Sequence, residues 1–289
     1  MGVELDEAAA AFQEVRPRLF GIAYRMLGSV GEADDLVQDV WLRWQGTDRD
    51  EVRNPGAFLA TVTTRLAVNE LRSARVRRET YVGPWLPEPV DTAADPFLGA
   101  ERGEALELAV LTLMEKLTPP ERAAYVLREA FDYPYAEIAV ILRSTEPAVR
   151  QLVSRARKHV AGERKAEVPA EAQRRLLATF LDAARDGELA ALEKLFAADV
   201  ASVSDGNGAR NVSRLVVTGA ERVARFVTAF SSWYWTGVTF GQVTANGRPG
   251  VLLRRGDQLL GLVTLTATAD GVDRLLWQMN PAKLRSYAG

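Results

Sequence analysis

Cysteine is absent from the 289-residue chain, and histidine occurs once. The first absence excludes disulfides, thiol nucleophiles, cysteine–zinc sites and cysteine-bound iron–sulfur clusters. The second leaves His159 no other imidazole with which to share an ion, so neither a metal nor a cofactor is expected. At the end of a basic helix its role is to complement the helix dipole or touch a phosphate. No N-terminal apolar signal and no apolar run of membrane length occur, so a cytoplasmic chain without membrane contact is expected. A large excess of one charge is missing too. The 36 Lys and Arg residues oppose 38 Asp and Glu, a formal net charge of −2, and the pI is near 5.7. Such a chain cannot coat nucleic acid by bulk charge, and any contact of that kind must come from local basic clusters.

Two such clusters exist. The stronger lies in residues 133–160, YPYAEIAVILRSTEPAVRQLVSRARKHV. A short helix over 135–142 turns Ile138, Ala139, Ile141 and Leu142 inward, with small Ala139 where a second helix must approach. Arg143, Ser144 and Thr145 make the turn. Thr145 can cap the next helix, Glu146 favours its positive end, and Pro147 sits in the first turn, where a missing N–H costs nothing. The second helix is amphipathic, with Ala148, Val149, Leu152, Val153 and Ala156 facing the core. This is a helix-turn-helix pattern, in which the second helix enters the major groove and its N-terminal residues meet base edges. Thr145, Glu146, Arg150 and Gln151 are the candidate base readers, and Ser154, Arg155, Arg157 and Lys158 lie nearer phosphates. An ordinary helical hairpin with a solvated basic face would carry the same pattern.

At this length two or three domains are expected, at roughly 100–200 residues each. Helical periodicity runs over 8–27, where Phe12, Leu19, Phe20, Ala23, Tyr24 and Leu27 form a stripe closed by Gly28; further helices are expected over 32–45 and from Asn54 and Pro55 to 75. The third carries the other basic cluster: Arg65, Arg72, Arg75, Arg77 and Arg78, with Asn69 among them and only Glu70 and Glu79 opposed. Residues 81–89, YVGPWLPEP, then break every periodicity, and the acidic stretch 91–95 with Pro96 prolongs the break as a linker. Helices resume over 105–117 and 120–130 and end near residue 165. Beyond Pro169 the pattern changes. Helices over 170–185 and 188–196 precede strands over 237–245, 250–255, 258–269 and 272–279, joined by Asn246-Gly247, Gly256-Asp257 and Asp270-Gly271 turns. A curved antiparallel sheet follows, with a helix over 220–230 packed across its concave face.

The helix over 32–45, EADDLVQDVWLRWQ, sets Leu36, Val37, Val40, Trp41 and Trp44 at helical spacing and leaves Asp35, Gln38 and Asp39 on its exposed face. Those carboxylates suit a basic protein partner, although the pattern alone slightly favours plain solvation of an amphipathic helix.

The segment resembles conserved region 2.2 of bacterial RNA polymerase sigma factors, whose motif is close to DDLVQDVFL. The helix from 54 to 81 resembles the rest of region 2, and the helix-turn-helix resembles region 4, in the expected order over about residues 8–160. With no intermediate domain between them, the chain is similar to the extracytoplasmic function (ECF) group. The resemblance implies that Asp35, Gln38, Asp39 and Trp41 bind the β′ clamp helices of core RNA polymerase, with the β flap a further contact. It also implies that Arg65, Asn69, Arg72, Arg75, Arg77 and Arg78 hold the −10 element, by tracking its phosphates or an unstacked base. The eight helix-turn-helix residues would read the −35 element.

The break at 81–89 sharpens the subgroup, because its WLPEP run resembles the linker of ECF sigma factors carrying a fused SnoaL-like domain. Residues 170–286 resemble that domain, an α+β cone fold. Asp205-Gly206-Asn207-Gly208-Ala209-Arg210 is similar to a DGGGK-type loop, with Asn207 in place of Gly. Asn280-Pro281-Ala282-Lys283-Leu284 is similar to an NPDKL-type tail, with Ala282 in place of Asp. The implied organisation is a region 2 domain (1–82), a linker (83–103), a region 4 helix-turn-helix domain (104–165) and a SnoaL-like regulatory domain (166–289): two all-α sigma domains followed by an α+β cone.

The expected function is promoter-directed transcription initiation, regulated in cis. Trp85, Leu86, Pro87, Glu88 and Pro89 are the expected regulatory contacts, with Asp205, Gly206, Asn207 and Gly208 in the loop and Asn280, Pro281, Lys283 and Leu284 in the tail. Such an internal regulator makes a separate anti-sigma factor unnecessary without excluding one. The cone suits a small ligand, with Trp233, Tyr234, Trp235, Phe240, Trp277 and Met279 as wall or as ordinary core. A ligand-responsive one-component repressor or activator is the alternative. An enzyme is not expected: the cone domain has no histidine, which leaves only Asp199 and Asp205 for general acid–base work, and Asp205-Gly206 and Asn207-Gly208 also read as turn chemistry.

Overall fold

The computed structural model describes residues 2–93, 106–163 and 166–287. The chain divides into two compact units, Met1–Glu79 with Pro96–Glu163, and Thr80–Asp95 with Arg164–Gly289.

In the first unit α1 (Gly2–Leu27), α2 (Val30–Gln45) and α3 (Pro55–Glu79) form a bundle. Phe12, Leu19, Ala23, Tyr24 and Leu27 of α1 are buried. Gly28 ends the helix in a left-handed conformation, φ +71°, and donates its N–H to the Tyr24 carbonyl at 2.7 Å, a geometry that glycine adopts without strain. From α2, Leu36, Val37, Val40 and Trp44 enter the core, and the Trp44 indole N–H donates to the Ala8 carbonyl at 3.0 Å. Buried Thr63 and Thr64 of α3 donate back to the Leu59 and Ala60 carbonyls, each at 2.8 Å, so neither brings an orphaned donor into the bundle.

The same unit contains α4 (Leu108–Met114), α5 (Pro119–Glu129), α6 (Tyr135–Ile141) and α7 (Glu146–Glu163). Fully buried Arg122 of α5 donates through Nε to the Arg25 carbonyl of α1 at 3.0 Å and pairs with Glu115, which also pairs with Arg78 of α3. The guanidinium groups of Arg18 and Arg25 lie 5.7 and 5.1 Å from the Phe131 ring. Charge-assisted bonds and cation–π contacts therefore join the two helical segments into one body.

The second unit is an α+β structure. Its helices are α8 (Ala170–Asp186), α9 (Leu189–Leu195), α10 (Ala220–Thr228) and α11 (Ser231–Tyr234). Its strands are β1 (Phe196–Asp205), β2 (Val217–Thr218), β3 (Val238–Ala245), β4 (Arg248–Arg255), β5 (Gln258–Thr268) and β6 (Gly271–Gln278), in the order β2-β1-β6-β5-β4-β3. β1 runs parallel to β6 and every other pairing is antiparallel. The Asn246-Gly247 turn joins β3 to β4 with φ of +52° and +77°, the positive pair that a two-residue hairpin requires.

Alternation along β4 and β5 gives the sheet two buried faces. Val251, Leu253, Val263 and Leu265 pack with Leu177 and Phe180 of α8 and Val223 and Val227 of α10. On the opposite face Leu252 and Leu262 pack with Ala245, Leu284 and Tyr287. The C-terminal tail thus caps the face that the helices leave open.

The segment expected as a linker is largely structural. Thr80–Asp95 belongs to the second unit, and the residues from Leu86 to Val90 are all buried. Residues 94–103 of that linker, and the start of the helix after it, lie outside the described residues.

Candidate functional site

The helix-turn-helix is built from α6 and α7. Arg143 turns the chain with φ +51°, the Ser144 N–H reaches back to the Ala139 carbonyl at 2.9 Å and the Arg143 N–H to the Val140 carbonyl at 3.3 Å. This bond pair closes a helix C-terminus on a left-handed residue. Thr145 Oγ1 accepts from the Ala148 N–H at 3.4 Å, a long cap. Val149, Val153 and Ala156 are buried, which turns Thr145, Arg150, Gln151, Ser154, Arg155, Arg157 and Lys158 to solvent and leaves Glu146 partly covered. Arg150 pairs with Glu146 and lies 4.3 Å from the Tyr135 ring centroid. Arg155 reaches Glu121 at 3.0 Å and Arg157 reaches Glu129 at 2.7 Å. Exposed pairs of this kind hold little energy, and a phosphate can displace them.

The basic cluster of α3 is divided. Asn69 and Arg72 are exposed, and the side chains of Arg75 and Arg77 lie outside the described residues. Arg65 donates to the last carbonyls of α6, through Nε to Ile141 at 2.8 Å and through Nη2 to Val140 at 3.0 Å. Arg78 pairs with Glu115 and donates to the Leu27 carbonyl at 2.5 Å. Two of the expected nucleic-acid contacts are therefore spent on the helix-turn-helix half of the same unit. Sequence reasoning missed Glu115, whose only outward signal is a carboxylate near the end of an apolar helix.

On α2 the side chains of Asp35, Gln38 and Asp39 are exposed, as is Leu42. Trp41 is half-buried, its ring 5.0 Å from that of Phe12, so it supports the helix and presents only part of its surface.

A buried polar cluster lies in the second unit. Asp205, at the end of β1, has no exposed surface. Its Oδ1 accepts from the Tyr81 hydroxyl at 2.5 Å. Its Oδ2 accepts from the Leu86 N–H at 2.8 Å and from Lys283 Nζ at 2.7 Å. Lys283 also donates to the Leu86 carbonyl at 2.6 Å and sits 4.2 Å from the Trp85 ring centroid. Asn280 donates to the Tyr81 oxygen at 2.8 Å, and Gln278 to the Pro87 carbonyl at 3.2 Å. Further along, Asn246 and Val90 exchange two bonds, at 2.9 and 3.0 Å. Burial and the bond to Asp205 raise the Tyr81 pKa well above that of a free phenol.

Around this clamp Leu284 and Glu88 are buried, whereas Asn207, Gly208 and Pro281 are exposed. Gly206 lies so near Val212 that a Cβ would come within 2.6 Å of its Cγ1. Asn207 and Gly208 have φ of +44° and +80° and form a turn, while the Asp205 carboxylate does what turn chemistry does not require. Tyr81 and Gln278 are not singled out by the sequence, and Asn246 reads there only as a turn residue, not as a partner of Val90.

Among the described residues no group of three or more His, Asp or Glu side chains could hold a metal ion, and no helix is long and apolar enough to cross a membrane. Residues 11–77 match the family model for Sigma-70 region 2, and residues 107–160 match that for Sigma-70 region 4. The ECF RNA polymerase sigma factor SigJ of Mycobacterium tuberculosis is 36% identical, over 94% of this chain and 91% of that protein. The chain belongs to the ECF RNA polymerase sigma factors. A probable ECF sigma factor of the same organism, SigI, is 29% identical over 96% of this sigma factor and 95% of its own length. The crystal structure of M. tuberculosis SigJ superposes with a TM-score of 0.77 at 31% identity, covering 96% of this sigma factor and 98% of that chain. The likeness therefore extends beyond regions 2 and 4 into the sheet-containing unit. Sigma factors are non-enzymatic initiation factors that bind core RNA polymerase and promoter DNA, and this chain is one of them.

Proposed function

We propose that the second unit regulates this sigma factor in cis by gripping the chain that joins region 2 to region 4. One observation carries the reading: Leu86 to Val90 are buried and tied to Asp205, Lys283 and Asn246, although in sequence they lie between the two sigma regions. A tether held this way has less reach. Once freed, residues 81–92 could span at most roughly 40 Å, at about 3.3–3.6 Å per extended residue, and would no longer be fixed to one path. Reach matters because polymerase docking and two separated promoter elements must be satisfied at once.

In the active complex Asp35, Gln38, Asp39 and the exposed part of Trp41 dock on the β′ clamp helices, and the β flap supports region 4. Arg65, Asn69, Arg72, Arg75, Arg77 and Arg78 hold the −10 strand. Thr145, Glu146, Arg150 and Gln151 read −35 bases, while Ser154, Arg155, Arg157 and Lys158 hold phosphates. The bonds of Arg65 to α6 and of Arg78 to Glu115 support a resting form in which region 2 is partly occupied by region 4. The protein acts in the cytoplasm, where polymerase is, and the internal restraint makes a separate anti-sigma factor unnecessary.

Run-off transcription with core polymerase tests both halves of the reading. Promoter-dependent initiation is expected from the full chain or from a chain ending at residue 166, and its absence from both removes the polymerase and promoter assignments. Equal polymerase affinity and equal transcript yield from the two proteins would remove the regulation in cis.

A further inference from the structure

Between α10, α11 and the strands β1 and β6 the second unit encloses a cavity of about 60 Å3 that opens to the surface. One wall is aromatic: Phe226, Phe230, Tyr234, Trp235 and Trp277. These rings meet largely edge to face, with centroids 5.1 Å apart for Phe226 and Phe230 and 5.0 Å for Tyr234 and Trp235. The series continues outward to Trp233, 5.7 Å from Phe230 and 45% exposed. Small polar groups of Ser204, Asn211 and Ser213 also line the space, and among the described residues no charged side chain does.

The two indoles of this wall differ in one respect. Trp277 Nε1 donates to Ser202 Oγ at 3.0 Å. Trp235, only 5% exposed, has a buried Nε1 with no hydrogen-bond partner. A buried donor left unmade keeps the full desolvation penalty, so an acceptor that reaches it relieves that penalty. Tyr234 adds a phenol that burial pushes up to about 12, so the wall stays uncharged at neutral pH.

We propose that this cavity binds an uncharged planar aromatic molecule whose carbonyl accepts a hydrogen bond from Trp235 Nε1. Where one water needs about 10–15 Å3, the space takes the edge of a ring, and the remainder of the molecule lies at the mouth against Phe230 and Trp233. Edge and face contacts between rings favour such a guest, and the absence of charge in the lining disfavours an ion.

The cavity shares its backbone with the linker clamp. Ser204 directly precedes Asp205, and Met279, also in the lining, donates its N–H to the Asp205 carbonyl at 2.7 Å and precedes Asn280. Val212, in the lining too, rests on Gly206. An occupant that displaces Val212 or Met279 therefore shifts the groups that hold Tyr81 and Leu86. This consequence, unlike the binding itself, rests on the proposed regulation in cis.

The test uses the full-length protein with three probes, indanone, indane and indane carboxylate, and follows the Trp235 indole N–H resonance by NMR. Indanone is expected to shift that resonance and to bind about tenfold more tightly than indane, with indane carboxylate weaker still. Trp235→Phe, followed through the Trp277 indole N–H, should abolish the preference for indanone, weakening indanone by about tenfold more than it changes indane. Ser213→Trp, which adds a large side chain in the lining, should weaken both. Equal affinity for indanone and indane, preference for the carboxylate, or no binding would overturn the proposal. Because the readout is binding and not transcription, its failure leaves the effect of truncation at residue 166 standing, and binding without any effect of truncation would overturn only the regulatory reading.

Discussion

Lys283 Nζ and Asp205 Oδ2 lie 2.7 Å apart, with the carboxylate side chain fully buried. Neither residue belongs to the linker, yet together they hold both backbone groups of Leu86. Removing one partner of a buried ion pair strands the other charge and costs about 3–5 kcal/mol. Lys283→Met should therefore reduce hydrogen-exchange protection of the Leu86 amide roughly a hundredfold or more, at about 1.4 kcal/mol per factor of ten. Combining it with Asp205→Asn should cost less than the sum of the two single changes, because they share one interaction. Additive losses would show that the pair does not couple.

The clamp also has an alkaline limit. Tyr81 is a neutral donor to Asp205, and its pKa is raised in the folded protein, first by burial and then by that bond. A group whose folded pKa exceeds the unfolded value of about 10 stabilises fully below pH 10 and loses that contribution as pH rises through the folded value. Protection of the Leu86 and Val90 amides should thus hold at neutral pH and fall above about pH 10. Tyr234 is shifted the same way, to about 12, so the decisive comparison is with Tyr81→Phe, which should flatten part of the alkaline fall. An unchanged slope in that variant would assign the fall to Tyr234 or to global unfolding.

What the sequence made legible follows from range. The Asn246-Gly247 hairpin, the Gly28 stop and the buried face of α7 depend on residues within a few positions, and the pattern exposes them. β1 was not among the expected strands, because FAADVASVSD is rich in Ala, Ser and Asp and is held by parallel pairing with β6, a contact across some 70 positions that overrides weak propensity. Arg65 and Arg78 show the same limit at the site. Their charge was visible, but their bonds to α6 and Glu115 depend on tertiary packing. WLPEP reads as a linker on account of its prolines, and only the fold shows it buried. Asp205 reads both as turn chemistry, because Gly206 follows it, and as an expected loop contact, but its three partners stand at positions 81, 86 and 283, too far apart in sequence for the pattern to name them.

Glu115 bridges Arg78 of region 2 and Arg122 of region 4. Neutralising it should release Arg78 toward nucleic acid and loosen the contact between the two regions. Glu115→Gln is expected to raise affinity for a single-stranded −10 oligonucleotide about fivefold, the lower end of typical coupling between sites. The same change leaves buried Arg122 poorly paired, so the first unit should lose about 3 kcal/mol. Fluorescence anisotropy at two salt concentrations reads the first effect and urea unfolding the second. A stability loss with unchanged oligonucleotide affinity would mean that Arg78 is not a nucleic-acid contact.

Arg150 stands in the first turns of α7 with its guanidinium over Tyr135 and paired to Glu146. An exposed pair at this spacing is worth about 0.3–0.5 kcal/mol, whereas a bidentate contact to a guanine edge is worth about 1–3 kcal/mol of discrimination. The arginine should therefore leave Glu146 for DNA. Arg150→Ala is expected to weaken binding to the cognate −35 duplex by roughly 5- to 150-fold, with little change for a scrambled duplex or for core polymerase. Lys158→Ala, which removes a phosphate contact, should instead weaken all duplexes alike and lower the salt slope by about one. If Arg150→Ala behaves like Lys158→Ala, its side chain follows the backbone of the promoter and base reading passes to Thr145, Glu146 and Gln151.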